Sequence, residues 1–351
     1  MKGASPPSDP PPWWDAAADP PPGWDAAAVR SPGGHVLQSS AWARIREQQG
    51  WRAEYVRIGD PLPVALVLWR DVPLLGPFGY VPRGPIVGSP DDLAHALDVL
   101  AELARERGAV LMRVDPELTP AQASGPLRHA GYRRGPDVQP VLATLVLDLA
   151  RPADDVMAGL EKDTRWSVRQ ASKRGVEVRT VTDEASLRAF YDLYRGTGER
   201  AHFITRTFDY YRLVWRTLID ASLAALRLAY LGERAVAGSM TWRCGERELY
   251  MYGATDREGR KCFAAYALLW RSITDAKEHG ASYFDLGGIP VDTDRKDDPM
   301  YGPYLFKKGF GGTRLEWVGA HDVAPNAFRY RAFLMAEPLY TRALQLMGSR
   351  G

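Results

Sequence analysis

Apolar and polar positions along this chain fall into runs whose period switches between two and about three and a half. Residues 52–58 and 62–70 alternate or run apolar, and residues 78–81 follow a turn at Gly76-Pro77, so this stretch predicts strands. Residues 91–108 place Leu93, Leu97, Leu100 and Ala104 on one face, the pattern of an amphipathic helix, and lead into a strand at 109–114. Strand, helix, strand is an α/β signature. Upstream, a short helix at 24–29 and a helical stretch carrying Trp42, Ile45 and Arg46 flank the turn Pro32-Gly33-Gly34.

The alternation then starts again. Residues 143–149 read as a strand, followed by a helix near Ala153, a basic helix, and helices at 183–194 and 207–221. Residues 224–231, 235–243 and 248–253 read as an antiparallel meander, 263–279 as a long amphipathic helix, and 283–286 as a closing strand. Periodicity alone predicts α/β units. Two successive mixed units, each with a meander and a crossover helix, resemble a duplicated GNAT-type acyltransferase fold. The expected architecture is therefore α/β (α+β), with two GNAT-like domains and a cleft between them. Residues 23–148 would form the first domain and 149–316 the second, with 317–351 packing back to complete the first. The span 149–316 leaves no room for a helical-hairpin arm, so a compact monomer is expected.

The first 22 residues are set apart by proline. Pro10-Pro11-Pro12-Trp13-Trp14-Asp15-Ala16-Ala17-Ala18 is nearly repeated as Pro20-Pro21-Pro22-Gly23-Trp24-Asp25-Ala26-Ala27-Ala28, and residues 1–22 read as a disordered arm outside the fold. At 351 residues with 45% apolar content, the chain can fill two cores. The net charge of +2, from 45 basic and 43 acidic residues, argues against a uniformly basic nucleic-acid coat and leaves local patches as anion sites. Cys244 and Cys262 are too few and too far apart for a disulfide framework or a Cys-x-x-Cys site. The six histidines are scattered without ligand spacing, so no metal is expected. With no apolar leader and no run of about 18 apolar residues, the chain reads as cytoplasmic, with peripheral contact to the inner membrane face left open.

The segment Tyr304-Leu305-Phe306-Lys307-Lys308-Gly309-Phe310-Gly311-Gly312 carries the sharpest chemistry. Glycines allow backbone conformations closed to other residues, and aromatics anchor the segment, so Lys307 can point into a cleft. A fixed ammonium there would stabilise the oxyanion formed when an ester carbonyl is attacked. The plain alternative is a solvated lysine pair at a strand start.

Pieces throughout residues 24–340 occur in the order seen in the Fem family of peptidyltransferases, which this chain resembles. They are Leu37-Gln38-Ser39-Ser40-Ala41-Trp42, Tyr80-Val81-Pro82-Arg83-Gly84-Pro85, Arg165-Trp166-Ser167-Val168-Arg169-Gln170-Ala171, Tyr252-Gly253-Ala254, Phe284-Asp285-Leu286-Gly287-Gly288-Ile289 and the segment around Lys307. The resemblance implies an aminoacyltransferase of peptidoglycan biosynthesis, with aminoacyl-tRNA as co-substrate and no other cofactor. The acceptor it implies is the stem-peptide amine of lipid II or of UDP-MurNAc-pentapeptide, extended to form the interpeptide bridge. By motif, Lys307 resembles the lysine that stabilises the transition state and Phe306 the aromatic beside it. Arg206 and Tyr210, four apart and so on one helical face, resemble the pair that contacts the precursor. Tyr252 is similar to a substrate-facing tyrosine, with Tyr250 pointing the same way two residues earlier and core packing as the alternative role for Tyr250. Arg83, between prolines, suits a phosphate or carboxylate, with a structural salt bridge as the alternative. Trp51 is similar to the tryptophan of the first domain that is preceded by a lysine in precursor-binding members; here Gln48-Gln49-Gly50 precede it, and Gly88 stands where an acidic residue is common.

Arg165, Arg169 and Lys173 recur every four residues on the basic helix, with Arg174 beside them, and form a stripe that suits RNA phosphates; a solvated basic face is the alternative. No serine or cysteine nucleophile is needed, because an aminoacyl ester is already activated towards an amine. Asp115 and Asp285 at strand ends read as turn or cap residues before proton carriers. Two rivals stand beside this reading. One is a GNAT-type acyltransferase using acyl-CoA, or aminoacyl-tRNA with another acceptor; Asp256-Arg257-Glu258-Gly259-Arg260-Lys261-Cys262 lacks the second small residue of a pyrophosphate loop. The other is a non-catalytic tRNA-binding scaffold.

Overall fold

Two seven-stranded sheets, stacked through a shared core, form the molecule; the computed structural model describes residues 14–201 and 203–348. The first unit runs β1 (Asp15–Ala17), α1 (Ser40–Glu47), β2 (Arg52–Arg57), β3 (Val64–Val72), β4 (Gly76–Val81), α2 (Pro90–Glu106), β5 (Leu111–Val114), α3 (Pro120–His129) and β6 (Arg133–Arg134). The second runs β7 (Ala143–Asp148), α4 (Ala153–Gly159), α5 (Lys162–Lys173), β8 (Val176–Val181), α6 (Glu184–Ala201), α7 (Phe208–Asp220), β9 (Ala224–Leu231), β10 (Arg234–Cys244), β11 (Arg247–Thr255), α8 (Arg257–Lys261), α9 (Ala264–Glu278), β12 (Tyr283–Ile289), α10 (Tyr301–Lys308) and β13 (Thr313–Glu316). The chain then returns to the first sheet through β14 (His321–Val323) and ends in α11 (Ala327–Gly348).

Strand β3 explains its continuous apolar run. Val64, Leu66 and Leu68 face the core shared with the second unit, while Ala65, Val67 and Trp69 face α2, whose Leu93, Leu97 and Leu100 are buried against them. A strand covered on both faces has no polar side to show. The shared core joins Trp24, Ile45 and Tyr55 to Phe190, Trp215 and Trp242, so the units meet through a hydrophobic interior.

Two boundaries differ from the sequence expectation, and the third, the return of the chain end to the first sheet, follows it. The arm predicted over 1–22 is partly structured: Asp15–Ala17 pairs antiparallel with β2, because Ala16 packs on the α2 core and the strand edge offers free hydrogen-bonding groups, while residues 1–13 lie outside the described residues. The division expected at 148/149 falls earlier, since β7 pairs with β12 and β13 and belongs to the second sheet. The returning segment contributes β14, which pairs with β5 and β6; Arg113 on β5 holds it with two bonds to Asp322, at 2.7 and 2.8 Å, and one to Glu337. Among the described residues no helical hairpin stands off the second unit; α6 and α7 pack on its sheet.

Candidate active site

Strands β11 and β12 run parallel and pair only where Arg247, Glu248 and Leu249 meet Tyr283, Phe284 and Asp285. Beyond that point they part, β11 following β10 and β12 following β7. Gly287 sits at the fork with φ +73°, and a Cβ there would lie 2.5 Å from the Tyr250 carbonyl oxygen, so only glycine lets β12 turn away so closely. A cavity of about 850 Å³ opens in the fork and reaches the first unit, touching Lys307, Phe306, Tyr252, Arg83 and Glu117.

Lys307 lies in the last turn of α10, which corrects the expectation of a glycine-rich turn or a strand start. The glycines that follow serve the exit: Gly312, at φ +103°, passes so near Val146 that a Cβ would stand 2.9 Å from its carbonyl oxygen. The Lys307 side chain is 6% exposed, and its Nζ donates to the Gly288 carbonyl oxygen at 2.6 Å. Burial pulls its pKa down to about 8, with Asp285 opposing, so the ammonium is charged at neutral pH inside a largely apolar chamber. Phe306 stands edge-on to Tyr266 at 5.0 Å and to Phe310 at 5.5 Å, which fixes the end of α10; Lys308 is exposed.

Behind the cation lies a buried ionic chain that joins the two units. Arg247 Nη1 is 3.0 Å from Asp285 Oδ2, and its other nitrogen donates to Glu117, on the loop after β5. Arg83 Nε lies 3.4 Å from Glu117 Oε1, and its Nη2 donates to the Val141 carbonyl oxygen at 2.8 Å. Burial alone would raise the Glu117 carboxyl, but Arg247, His35 and Arg83 outweigh it and hold it down to about 2. Burial raises Asp285 against the pull of Arg247, and lowers His35 to about 3, leaving a neutral ring whose Nδ1 accepts from Leu37 N–H at 3.0 Å. Arg83 is thus a paired member of this chain that also borders the cavity. Asp115 accepts from Tyr80 Oη at 2.7 Å and from the Arg83 amide, and burial raises it to about 6.

Tyr252 lines the cavity among Tyr194, Tyr211, Trp215 and Trp242, with centroids 5.6 to 6.2 Å away. Tyr250 borders the same cavity but packs on a different core. The pairing register shifts at Met251, sending Tyr250 to the core around Phe284 and Leu286 while Tyr252 joins the shared core. Arg206 precedes α7, so it does not share a helix with Tyr210; its guanidinium lies over the Tyr210 ring at 4.6 Å.

These two face a cluster that sequence reasoning missed. Arg46 lies 4.9 Å and Arg70 5.5 Å from the Trp51 ring centroid. Arg46, Arg70 and Arg206 have no carboxylate partner among the described residues. Burial lowers Arg46 to about 10, and Arg70 and Arg206 add to that while Tyr210 and Tyr80 oppose it. Trp51 Nε1 and Gln49 Nε2 are buried donors without acceptors. Crowded cations beside unpaired donors call for an anion. The charge absent from Gln48 and Gln49 is thus present on Arg46, which shares a helix face with Trp42, a local signal; Arg70 comes from another strand and gave none.

On α5 the predicted stripe divides. Arg165 donates to the Ala158 carbonyl oxygen at 2.7 Å and to that of Leu160, closing the preceding helix. Arg174 donates to the Lys261 carbonyl oxygen and lies 4.7 Å from the Phe263 centroid. Arg169 and Lys173 are exposed and have no ion pair among the described residues. Those residues also hold no group of three His, Cys, Asp or Glu placed to bind a metal, and no helix long and apolar enough to cross a membrane.

Comparison with known proteins divides the chain as the sheets do. Residues 25–128 match the FemAB family model, and residues 160–307 match the acetyltransferase (GNAT) domain. A lipid II:glycine glycyltransferase of Staphylococcus aureus (strain USA300) is 25% identical, over 88% of this chain and 93% of that protein. The crystal structure of FemX superposes with a TM-score of 0.79 at 24% identity, over 88% of this chain and 97% of that one. The C-terminal domain of a putative lysylphosphatidylglycerol synthetase from Agrobacterium fabrum superposes at 0.56 with 15% identity, over 87% and 94%.

Proposed function

Because the chain belongs to the Fem family, we propose that it works as an aminoacyltransferase, carrying an amino acid from an aminoacyl-tRNA to the stem-peptide amine of a peptidoglycan precursor and so building the interpeptide bridge. The observation that carries this reading is the Lys307 ammonium, buried yet charged, at the fork of β11 and β12. The neutral amine attacks the ester carbonyl, a C–N bond forms, and the carbonyl oxygen gains negative charge that Lys307 meets without reorganising solvent. Collapse breaks the bond to the ribose oxygen, and the proton lost by the attacking nitrogen ends on that oxygen. Phe306 holds the lysine's helix end.

The acceptor reading draws support from Arg46, Arg70 and Arg206, which with Trp51 and Tyr210 offer three uncompensated cations to a diphosphate such as that of lipid II or a UDP-linked precursor. Tyr252 lies between that cluster and the cavity, suited to the stem peptide. For the donor, the exposed Arg169 and Lys173 suit RNA phosphates, whereas Arg165 and Arg174 are engaged with backbone carbonyls. Acyl-CoA fits less well: the Asp256 carboxylate accepts from Gly259 N–H at 2.7 Å, placing a negative charge where a pyrophosphate would seat.

The test is a transfer assay with purified chain, charged tRNA pools, and UDP-linked pentapeptide or lipid II. Transfer with one pool and loss of turnover in Lys307→Ala is the expected result. No transfer from any pool, or unchanged turnover in Lys307→Ala, overturns the reading.

A further inference from the structure

A series of aromatic rings runs from the exposed face of α5 to the buried cation. Trp166, 50% exposed, stands edge-on to Phe263 with centroids 5.1 Å apart. Phe263 meets Tyr266 at 6.3 Å, and Tyr266 meets Phe306 at 5.0 Å, one residue before Lys307. Phe263, Tyr266 and Phe306 border the cavity and Trp166 does not, so the series starts outside it and ends inside. Phe263 is held at φ +61°, a left-handed conformation that a bulky residue adopts only where its surroundings impose it.

Positive charge follows the outer half of the series. Arg174 stacks its guanidinium on Phe263 at 4.7 Å, and Arg169 and Lys173 are exposed on the same helix without carboxylate partners among the described residues. Asp163, whose charge Tyr266 senses, lies at the start of α5, so a polyanion is favoured towards the Arg174 end of the helix. An exposed ring beside unpaired cations, leading to half-buried rings, is a combination that binds single-stranded nucleic acid: every base has a face to stack, and phosphates need only charge.

We propose that this surface receives the unpaired 3′-terminal nucleotides of an RNA. A base stacks on Trp166, phosphates lie against Arg169 and Lys173, the strand follows the rings past Phe263, and the terminal ribose reaches Phe306, which brings its ester carbonyl to Lys307. The proposal rests on the reading that the donor is an aminoacyl ester of RNA. It adds the route by which that ester enters.

Binding of two fluorescein-labelled RNA hairpins, one with a short single-stranded 3′ tail and one blunt, tests it. The wild-type chain should prefer the tailed hairpin. Trp166→Ala should weaken tailed binding by about five- to a hundredfold and leave blunt binding nearly unchanged, with Trp166→Phe keeping most of the preference. Arg169→Ala and Lys173→Ala should weaken both hairpins, each flattening the salt dependence by about one unit of slope. Equal wild-type affinity for the two hairpins, or full tail preference in Trp166→Ala, overturns the proposal. Transfer from charged tRNA by the wild-type chain, measured separately, tests the donor reading. Transfer without tail preference overturns the ring track alone, whereas tail preference without transfer from any pool overturns the donor reading alone.

Discussion

Replacing Lys307 by methionine should abolish transfer while making the protein more stable at neutral pH. The free amine titrates at 10.5 and the buried one at about 8, a gap equivalent to about 3 kcal/mol of disfavoured charge burial at pH 7. Methionine fills similar space without that charge but leaves the Gly288 carbonyl oxygen without its donor, a loss of about 1–2 kcal/mol. The net expectation is a gain of about 1–2 kcal/mol at pH 7. The sign follows from proton binding: the folded state holds fewer protons than the unfolded state between pH 8 and 10.5, so wild-type stability rises across that window. Above pH 10.5 the lysine is neutral in both states and keeps its hydrogen bond, so Lys307→Met should then be the less stable protein. Urea unfolding of both proteins from pH 6 to 11 measures the crossing, with transfer assayed alongside. A variant that is less stable than wild type at pH 7, or a difference that stays flat across the window, would refute a buried, charged lysine.

Asp285→Asn removes the carboxylate that holds the Lys307 pKa up, so the alkaline fall in turnover, expected near pH 8 in the wild type, should move to lower pH. Arg247→Leu leaves Glu117 and Asp285 buried without their shared partner and should lower stability by about 3–5 kcal/mol, read as a shifted urea midpoint. Arg46→Gln should raise KM for a diphosphate-bearing acceptor about tenfold and weaken its salt dependence, while a truncated acceptor lacking the diphosphate should be used equally by both proteins.

Legibility in the sequence followed the range of the forces involved. The meander of β9, β10 and β11 and the amphipathic α2 and α9 were readable because each element's burial is written in its own periodicity. The sheet that claims β7 was not, because strand pairing is decided by residues more than a hundred positions away, and the two-faced burial of β7 looks the same in either unit. The cation at Lys307 was legible by motif. Its seat in a helix was not, because glycines at 309, 311 and 312 suggested a turn that begins only after the helix ends. Alternation placed Tyr250 and Tyr252 together, and both border the cavity, but the register shift at Met251 seats them on different cores, which a period of two does not show. The Arg46, Arg70 and Arg206 cluster draws on a helix, a strand and the loop before α7, so no window of sequence holds it.

The core that joins Trp24, Ile45 and Tyr55 to Phe190, Trp215 and Trp242 sets how the molecule comes apart. Cutting the chain between β6 and β7 would leave each half with a bare aromatic face too large to stay in solution unaided. A scanning calorimeter should therefore record one heat-absorption peak from the two sheets. A lesion beside Trp215 should lower the melting point of strands in the opposite half as much as those in its own. Turning one sheet against the other around Lys307 would have to break that packing, so the shared core resists such a rotation.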